Sequence, residues 1–95
     1  MFKKVLIIGC GLIGSSILRA LHSKKLSKKN FVLEKSKTNI SKIKKIKSSC
    51  KFIKSINREI SDVDLVIICT PRSQYKKIIE KLNKSLKAGC LITDV

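Results

Sequence analysis

Aromatic side chains are scarce in this chain: one tyrosine, three phenylalanines and no tryptophan in 95 residues. Arginine appears only as Arg19, Arg58 and Arg72. These are the side chains that stack on bases and read their edges. The formal charge of +16 therefore does not mark a specific nucleic-acid binder. The charge is nearly all lysine, spread over every polar face beside a heavy load of isoleucine, as an AT-rich genome would give. The excess lysine still helps to draw in an anionic cofactor at low salt.

The chain has a single histidine, His22, and four cysteines with no C-x-x-C spacing, Cys10, Cys50, Cys69 and Cys90. Those spacings do not point to a zinc site, and no metal is expected. Cys10, Cys69 and Cys90 lie at strand ends or in apolar runs, where a reduced thiol is a small hydrophobe. That usage suits a cytoplasmic protein. No apolar run approaches the ~18 residues needed to span a membrane. Met1-Phe2-Lys3-Lys4 and the apolar residues after it resemble a signal peptide, but the run before Cys10 is too short and glycines interrupt it.

What is present begins with Val5-Leu6-Ile7-Ile8-Gly9-Cys10-Gly11-Leu12-Ile13-Gly14. Four apolar residues predict a buried strand, G-x-G-x-x-G follows, and an amphipathic helix runs from Leu12 to His22. Strand, glycine turn and helix together are the context of a dinucleotide phosphate loop. Gly9 turns the chain off the strand, Gly11 lets backbone approach a pyrophosphate, and Gly14 lets helix and strand pack closely. The free N–H groups of the helix start, with its dipole, face the phosphates. Glu34 closes the short apolar run Phe31-Val32-Leu33 twenty positions after Gly14, where an acid bonds the adenosine ribose hydroxyls.

Along the chain, Leu12, Ile13, Ile17, Leu18 and Leu21 give the first helix its apolar face. His22 near its end is a solvated last-turn residue favoured by the helix dipole. Ser23 to Asn30 is expected to be a basic loop. A second helix is expected over Thr38 to Lys47, with Ile40, Ile43 and Ile46 inward. Phe52, Ile53 and Ile56 suggest a short third strand and a following turn. Leu65-Val66-Ile67-Ile68-Cys69 has the continuous apolar character of a parallel strand buried on both faces, and it ends at Thr70-Pro71. Asp62 and Asp64 precede it, at the end of the strand away from the crevice, and are assigned to a solvated turn rather than to acid–base work. Ser73 is expected to cap a helix carrying Tyr75, Ile78, Ile79, Leu82 and Leu86, with Gly89 as its C′ residue. Leu91 to Val95 is the fifth strand.

The order β-α-β-α-β-β-α-β predicts an α/β fold, a Rossmann-type parallel sheet with helices on both faces. With about five strands it is incomplete for this architecture, so residues 1–95 are expected to be the N-terminal part of an NAD(P)-binding domain, with a substrate and dimerisation domain absent. Ligand is expected where the strand order reverses, at the carboxyl ends of the first and fourth strands. That places Gly9 to Gly14 and Thr70 to Arg72 on one crevice.

Three segments resemble the prephenate and arogenate dehydrogenases of tyrosine biosynthesis. They are Lys3 to Ser16 with its Leu-Ile-Gly-Ser-Ser continuation, Asp64 to Pro71, and Lys87 to Val95. The resemblance implies nicotinamide-dependent oxidation of prephenate or arogenate with loss of carbon dioxide, by a protein that is a homodimer at full length. It implies no catalytic residue here, because the family's catalytic histidine and substrate arginine lie in segments beyond Val95, and His22 does not match. It carries over cofactor contacts: Gly9, Gly11 and Gly14 with the backbone of Cys10, Leu12 and Ile13, then Glu34, then Thr70, Pro71 and Arg72 on the nicotinamide side. Glu34 favours NAD over NADP by repelling a 2′-phosphate. Lys35 and Lys37 leave room for NADP, since a lysine there can hold that phosphate. Related β-hydroxyacid dehydrogenases, pyrroline-carboxylate reductases and non-catalytic NAD-sensing domains share parts of the pattern, although the sensing domains usually lack the Thr-Pro turn.

Overall fold

The computed structural model describes residues 2–9, 11–45, 50–56, 60–87 and 89–94. The apolar runs become strands of one sheet. β1 is Phe2–Ile8, β2 Ser27–Leu33, β3 Lys51–Ile53, β4 Leu65–Ile68 and β5 Leu91–Asp94. All four pairings are parallel, in the order β3-β2-β1-β4-β5. β1 lies at the centre, so the chain's most apolar segment is buried on both faces: Val5, Leu6, Ile7 and Ile8 are all buried. The sheet reverses its strand order between β1 and β4, the pairing that sets Ile8 beside Ile68.

Alternation along each strand sorts the core into two layers. Val5, Ile7, Val32, Leu65 and Ile67 point to one face. There they meet Leu18 and Leu21 of α1 (Leu12–Ser23) and Ile43 of α2 (Lys37–Lys44). Leu6, Ile8, Phe31, Ile53, Val66 and Ile68 point to the other face, where Leu82 of α3 (Tyr75–Ser85) packs with Ile60 and Val63. Helices thus cover both faces, as the alternation of elements requires. Fully burying one such leucine or isoleucine contributes about 1.5–3 kcal/mol.

Several boundaries differ from the sequence expectation. Ser27–Asn30 is strand rather than loop, because its backbone pairs with β1 from Phe2 onward while Lys28 and Lys29 stay in solvent. A strand held by its backbone at the sheet's polar end has no apolar alternation to betray it. The second helix starts at Lys37 and its helical span ends at Lys44; Ser36 caps it, its Oγ accepting the Asn39 N–H at 3.3 Å. Ile46 and Lys47 lie outside the described residues. Phe52 and Ile53 lie in β3 and Ile56 in the bend that follows it, as the sequence suggests.

Ser73 does not cap α3. It sits inside a 3-10 turn, Arg72–Gln74, and the helix begins at Tyr75 with Gln74 as its N-cap and no side-chain cap bond. Gly89 is not the C′ residue either. Leu86 leaves the helix in extended conformation, its N–H bonded to the Leu82 carbonyl at 2.8 Å, and its side chain packs on the core. Gly89, at φ +86°, belongs to the turn before β5. Two expected core positions face solvent instead: Ile13 at 58% exposure and Ile79 at 38%.

Asp62 and Asp64 stand at the amino end of the sheet and fasten it. Asp64 accepts the backbone N–H groups of Lys3 at 2.9 Å and Lys4 at 2.7 Å. Asp62 pairs with the Lys4 ammonium. Desolvation opposes ionisation of Asp64, but the two backbone donors outweigh it and its carboxyl stays below the ordinary range. The Lys4 hydrogen bond does the same for Asp62.

Candidate nucleotide-binding crevice

The carboxyl ends of β1, β2 and β4 open into a cavity of about 930 Å³. Backbone bonds set its floor. The Gly9 N–H donates to the Leu33 carbonyl at 2.8 Å, and the Cys69 N–H donates to the Ile8 carbonyl at 2.8 Å. The ladder thus runs one step past each strand, and the three exits are held side by side.

Gly9 leaves β1 at φ +77°, a conformation that favours glycine. It also lies directly against Thr70: a Cβ built on Gly9 would come 2.5 Å from Thr70 Cγ2. Gly11 is different. A Cβ there would meet nothing within 4 Å, and the residue lines the crevice. One glycine is needed for packing within the protein; the other keeps open space open. Gly11 is also the N-cap of α1, and no side chain caps that helix. The first N–H groups of α1 therefore lack protein acceptors within the helix.

Glu34 follows β2 directly. Its Oε1 accepts the Ser36 N–H at 3.0 Å, which fixes the carboxylate at the crevice wall and leaves its second oxygen for another donor. Thr70 Oγ1 is buried and has no hydrogen-bond partner among the described residues. Burial pushes the Cys69 thiol up, so it stays protonated and serves as apolar lining.

Of the residues singled out in the sequence, Gly9, Gly11, Glu34, Lys35, Thr70 and Pro71 converge on this one wall. Leu12, Ile13 and Gly14 form the first turn of α1, with Gly14 buried and the Ile13 side chain turned to solvent. Arg72 opens the 3-10 turn, exposed, and is not among the wall residues. Cys10 lies outside the described residues. Sequence reasoning missed Asn39, Lys54, Ser55, Ile56, Gln74, Lys77, Ile78 and Lys81, which also line the cavity. Their signal was positional: Lys54 to Ile56 follow the end of β3, and Lys77 and Lys81 lie one helical turn apart on α3.

Among the described residues no group of three or more histidine, cysteine or acidic side chains comes together. No helix there is long and apolar enough to cross a membrane.

Comparison with known proteins places this crevice in context. The profile of a family described as NADP oxidoreductase, coenzyme F420-dependent, matches residues 4–95. An L-aspartate dehydrogenase of Methanosarcina mazei is 34% identical over 92 residues, covering 94% of this chain and 32% of that protein. The prephenate dehydrogenase of A. aeolicus, solved with hydroxyphenyl propionate and NAD+, superposes with a TM-score of 0.80 at 25% identity, over 99% of this chain and 33% of that one. The Synechocystis arogenate dehydrogenase shares the fold, with a TM-score of 0.76 at 20% identity, over 97% of this chain and 32% of that one. The chain spans about a third of the length of these relatives. The match does not single out the prephenate and arogenate dehydrogenases that the glycine loop and Thr-Pro segment resemble. The chain belongs to the NADP oxidoreductase, coenzyme F420-dependent, family and is an NAD(P)-binding Rossmann domain.

Proposed function

We propose that this chain is the cofactor-holding part of a dehydrogenase that oxidises prephenate or arogenate with loss of carbon dioxide. The observation that carries the reading is the meeting of Gly9 with Thr70, which joins the glycine loop and the Thr-Pro turn into one crevice. The Leu-Ile-Gly-Ser-Ser continuation of that loop and the likeness to the A. aeolicus prephenate dehydrogenase support the substrate class.

The residues present fit a nicotinamide dinucleotide. The crevice is open where a Cβ on Gly11 would stand, α1 begins uncapped, and Thr70 Oγ1 is a buried hydroxyl still in need of a partner. In this reading Gly9, Gly11 and Gly14, with the backbone of Cys10, Leu12 and Ile13, cradle the pyrophosphate. Glu34 takes the ribose hydroxyls with its free oxygen. Lys35 lies beside it, and Thr70, Pro71 and Arg72 flank the nicotinamide side. When bound, the cofactor supplies the hydride acceptor. The chain's own residues bind and orient it, and none acts as proton acceptor for a substrate hydroxyl. A histidine base follows the fifth strand, and the arginine that holds substrate carboxylate belongs to a second domain, which also carries the dimer contacts.

A second reading follows from the 34% identity to L-aspartate dehydrogenase: an oxidoreductase of the same architecture acting on an amino acid. Calorimetric titration of the 95-residue chain with NAD and NADP tests the shared part, and saturable binding of either is expected. The same chain mixed with prephenate, arogenate or L-aspartate and NAD is expected to make no NADH, and detectable production would sink the reading that these 95 residues only hold the cofactor. Reading the coding sequence past Val95 separates the substrates. Gly-Ser-x-Lys followed by Gly-His-Pro supports the prephenate or arogenate reading, and their absence supports the amino-acid one.

A further inference from the structure

The carboxylate that meets the ribose in the reading above is held by one residue, Ser36. Glu34 Oε1 accepts the Ser36 N–H at 3.0 Å. Ser36 is in turn the N-cap of α2: its Oγ accepts the Asn39 N–H at 3.3 Å, and its carbonyl accepts the Ile40 N–H at 3.0 Å. These bonds tie the carboxylate, the turn after β2 and the first turn of α2 into one unit. Glu34 and Asn39 both line the cavity, so the same unit places both of them on its wall. Ser36 itself is exposed and is not among the wall residues.

The cap matters because α2 has little else to begin it. The helix has 8 residues, Ile43 is its one buried side chain, and its first turn contains no acid. A helix this short is marginal by itself. Lys37 at its first position sets a positive charge against the positive end of the dipole. Removing the Ser36 hydroxyl leaves the Asn39 N–H without its acceptor and frees the first turn to fray. The Ser36 N–H then loses its fixed direction, and Glu34 must be ordered by the ligand instead of by the protein. We propose that Ser36 is a positioning residue for cofactor recognition: by capping α2 it holds the Glu34 carboxylate ready for the ribose hydroxyls. This rests on the dinucleotide reading and on the place of Glu34 in it.

The test is a double-mutant cycle on the 95-residue chain. NAD is titrated into the wild type, Ser36→Ala, Glu34→Ala and Ser36→Ala/Glu34→Ala, and binding is followed by NMR so that weak affinities stay within range. Ser36→Thr, which keeps a capping hydroxyl, is the conservative variant. Circular dichroism checks that each is folded. Ser36→Ala is expected to weaken NAD about fivefold, the loss that removal of a cap implies. Ser36→Thr should stay within about twofold of wild type. In the Glu34→Ala background the serine substitution should change NAD affinity by less than about twofold, because the carboxylate through which it acts is gone. Hydrogen exchange of the Asn39 amide should quicken in Ser36→Ala and not in Ser36→Thr. Equal loss in the two backgrounds overturns the proposal, since Ser36 would then act apart from Glu34. No loss in Ser36→Ala overturns it, as does a loss that threonine fails to restore. A Glu34→Ala variant that binds NAD like wild type overturns the place of Glu34 as well. A wild type that binds no NAD overturns the dinucleotide reading altogether.

Discussion

Gly9 and Thr70 are in contact across the sheet's point of reversal, so closely that a Cβ on Gly9 would stand 2.5 Å from Thr70 Cγ2. The contact ties the exit of β1 to the exit of β4. It makes the shape of the glycine loop a matter of protein packing rather than of ligand.

Gly9→Ala should therefore be costly twice over. The left-handed backbone at φ +77° costs an alanine about 1–2 kcal/mol, and the clash adds about 1–3 kcal/mol. Urea denaturation should show the sum. Adding Thr70→Ser removes the offending methyl while keeping the hydroxyl, and should recover the steric part only. Full recovery would mean that the backbone there is not strained.

Gly11→Ala should behave in the opposite way. Its Cβ meets nothing within 4 Å, so the urea midpoint should barely move. Dinucleotide affinity should fall by about tenfold or more, because the methyl occupies space on the crevice wall where backbone donors approach a phosphate. A stable variant with unchanged affinity would show that the phosphates lie elsewhere.

Glu34→Ala should weaken NAD much more than NADP. A carboxylate bonded to ribose hydroxyls contributes about 1.5–3 kcal/mol, and it repels a 2′-phosphate. Titration of the variant with both cofactors decides the matter: equal loss would show that Glu34 does not recognise the ribose.

The strand exits and the glycine loop were legible in the sequence, because continuous apolar runs such as Val5 to Ile8 and Leu65 to Ile68 admit few other readings. Glu34 was legible from its distance to the loop. Ser27 to Asn30 was not, since a strand held by backbone pairing at the polar end of a sheet looks like loop. Nor were Lys54, Lys77 and Lys81. A lysine beside a crevice and a lysine on an open helix face have the same sequence signature, and only the packing of Ile56 and Ile78 into one layer sets these on the cavity wall. The Ser73 cap failed for a local reason. After Pro71 the chain takes a 3-10 turn, with the Gln74 N–H bonded to the Pro71 carbonyl at 3.0 Å, and this delays the helix.

Asp64→Ala should lower stability by about 0.5–1.5 kcal/mol, since it removes the acceptor of the Lys3 and Lys4 N–H groups at the solvated end of the sheet. Cofactor affinity should not change, because Asp64 lies at the far end of the strands. Asp62 and Asp64 have carboxyls held below the ordinary range. Their contribution is therefore complete above the unfolded value near pH 4 and is lost as pH falls through the folded values. Thermal melts from pH 6 to pH 2.5 should show a fall in Tm below about pH 4. That fall should be smaller in Asp64→Ala.

β5 forms one margin of the sheet, and every residue from Leu91 to Asp94 is exposed, Leu91 at 59%. A strand margin with open backbone and bare aliphatic groups is a template on which further strands can add. The charge of +16 opposes such pairing between copies, acting at a range that shrinks from about 10 Å in 0.1 M salt to about 3 Å in 1 M. Colloidal stability thus hangs on ionic strength. Light scattering should rise as salt is added, and a lysine introduced at Leu91 should hold it down.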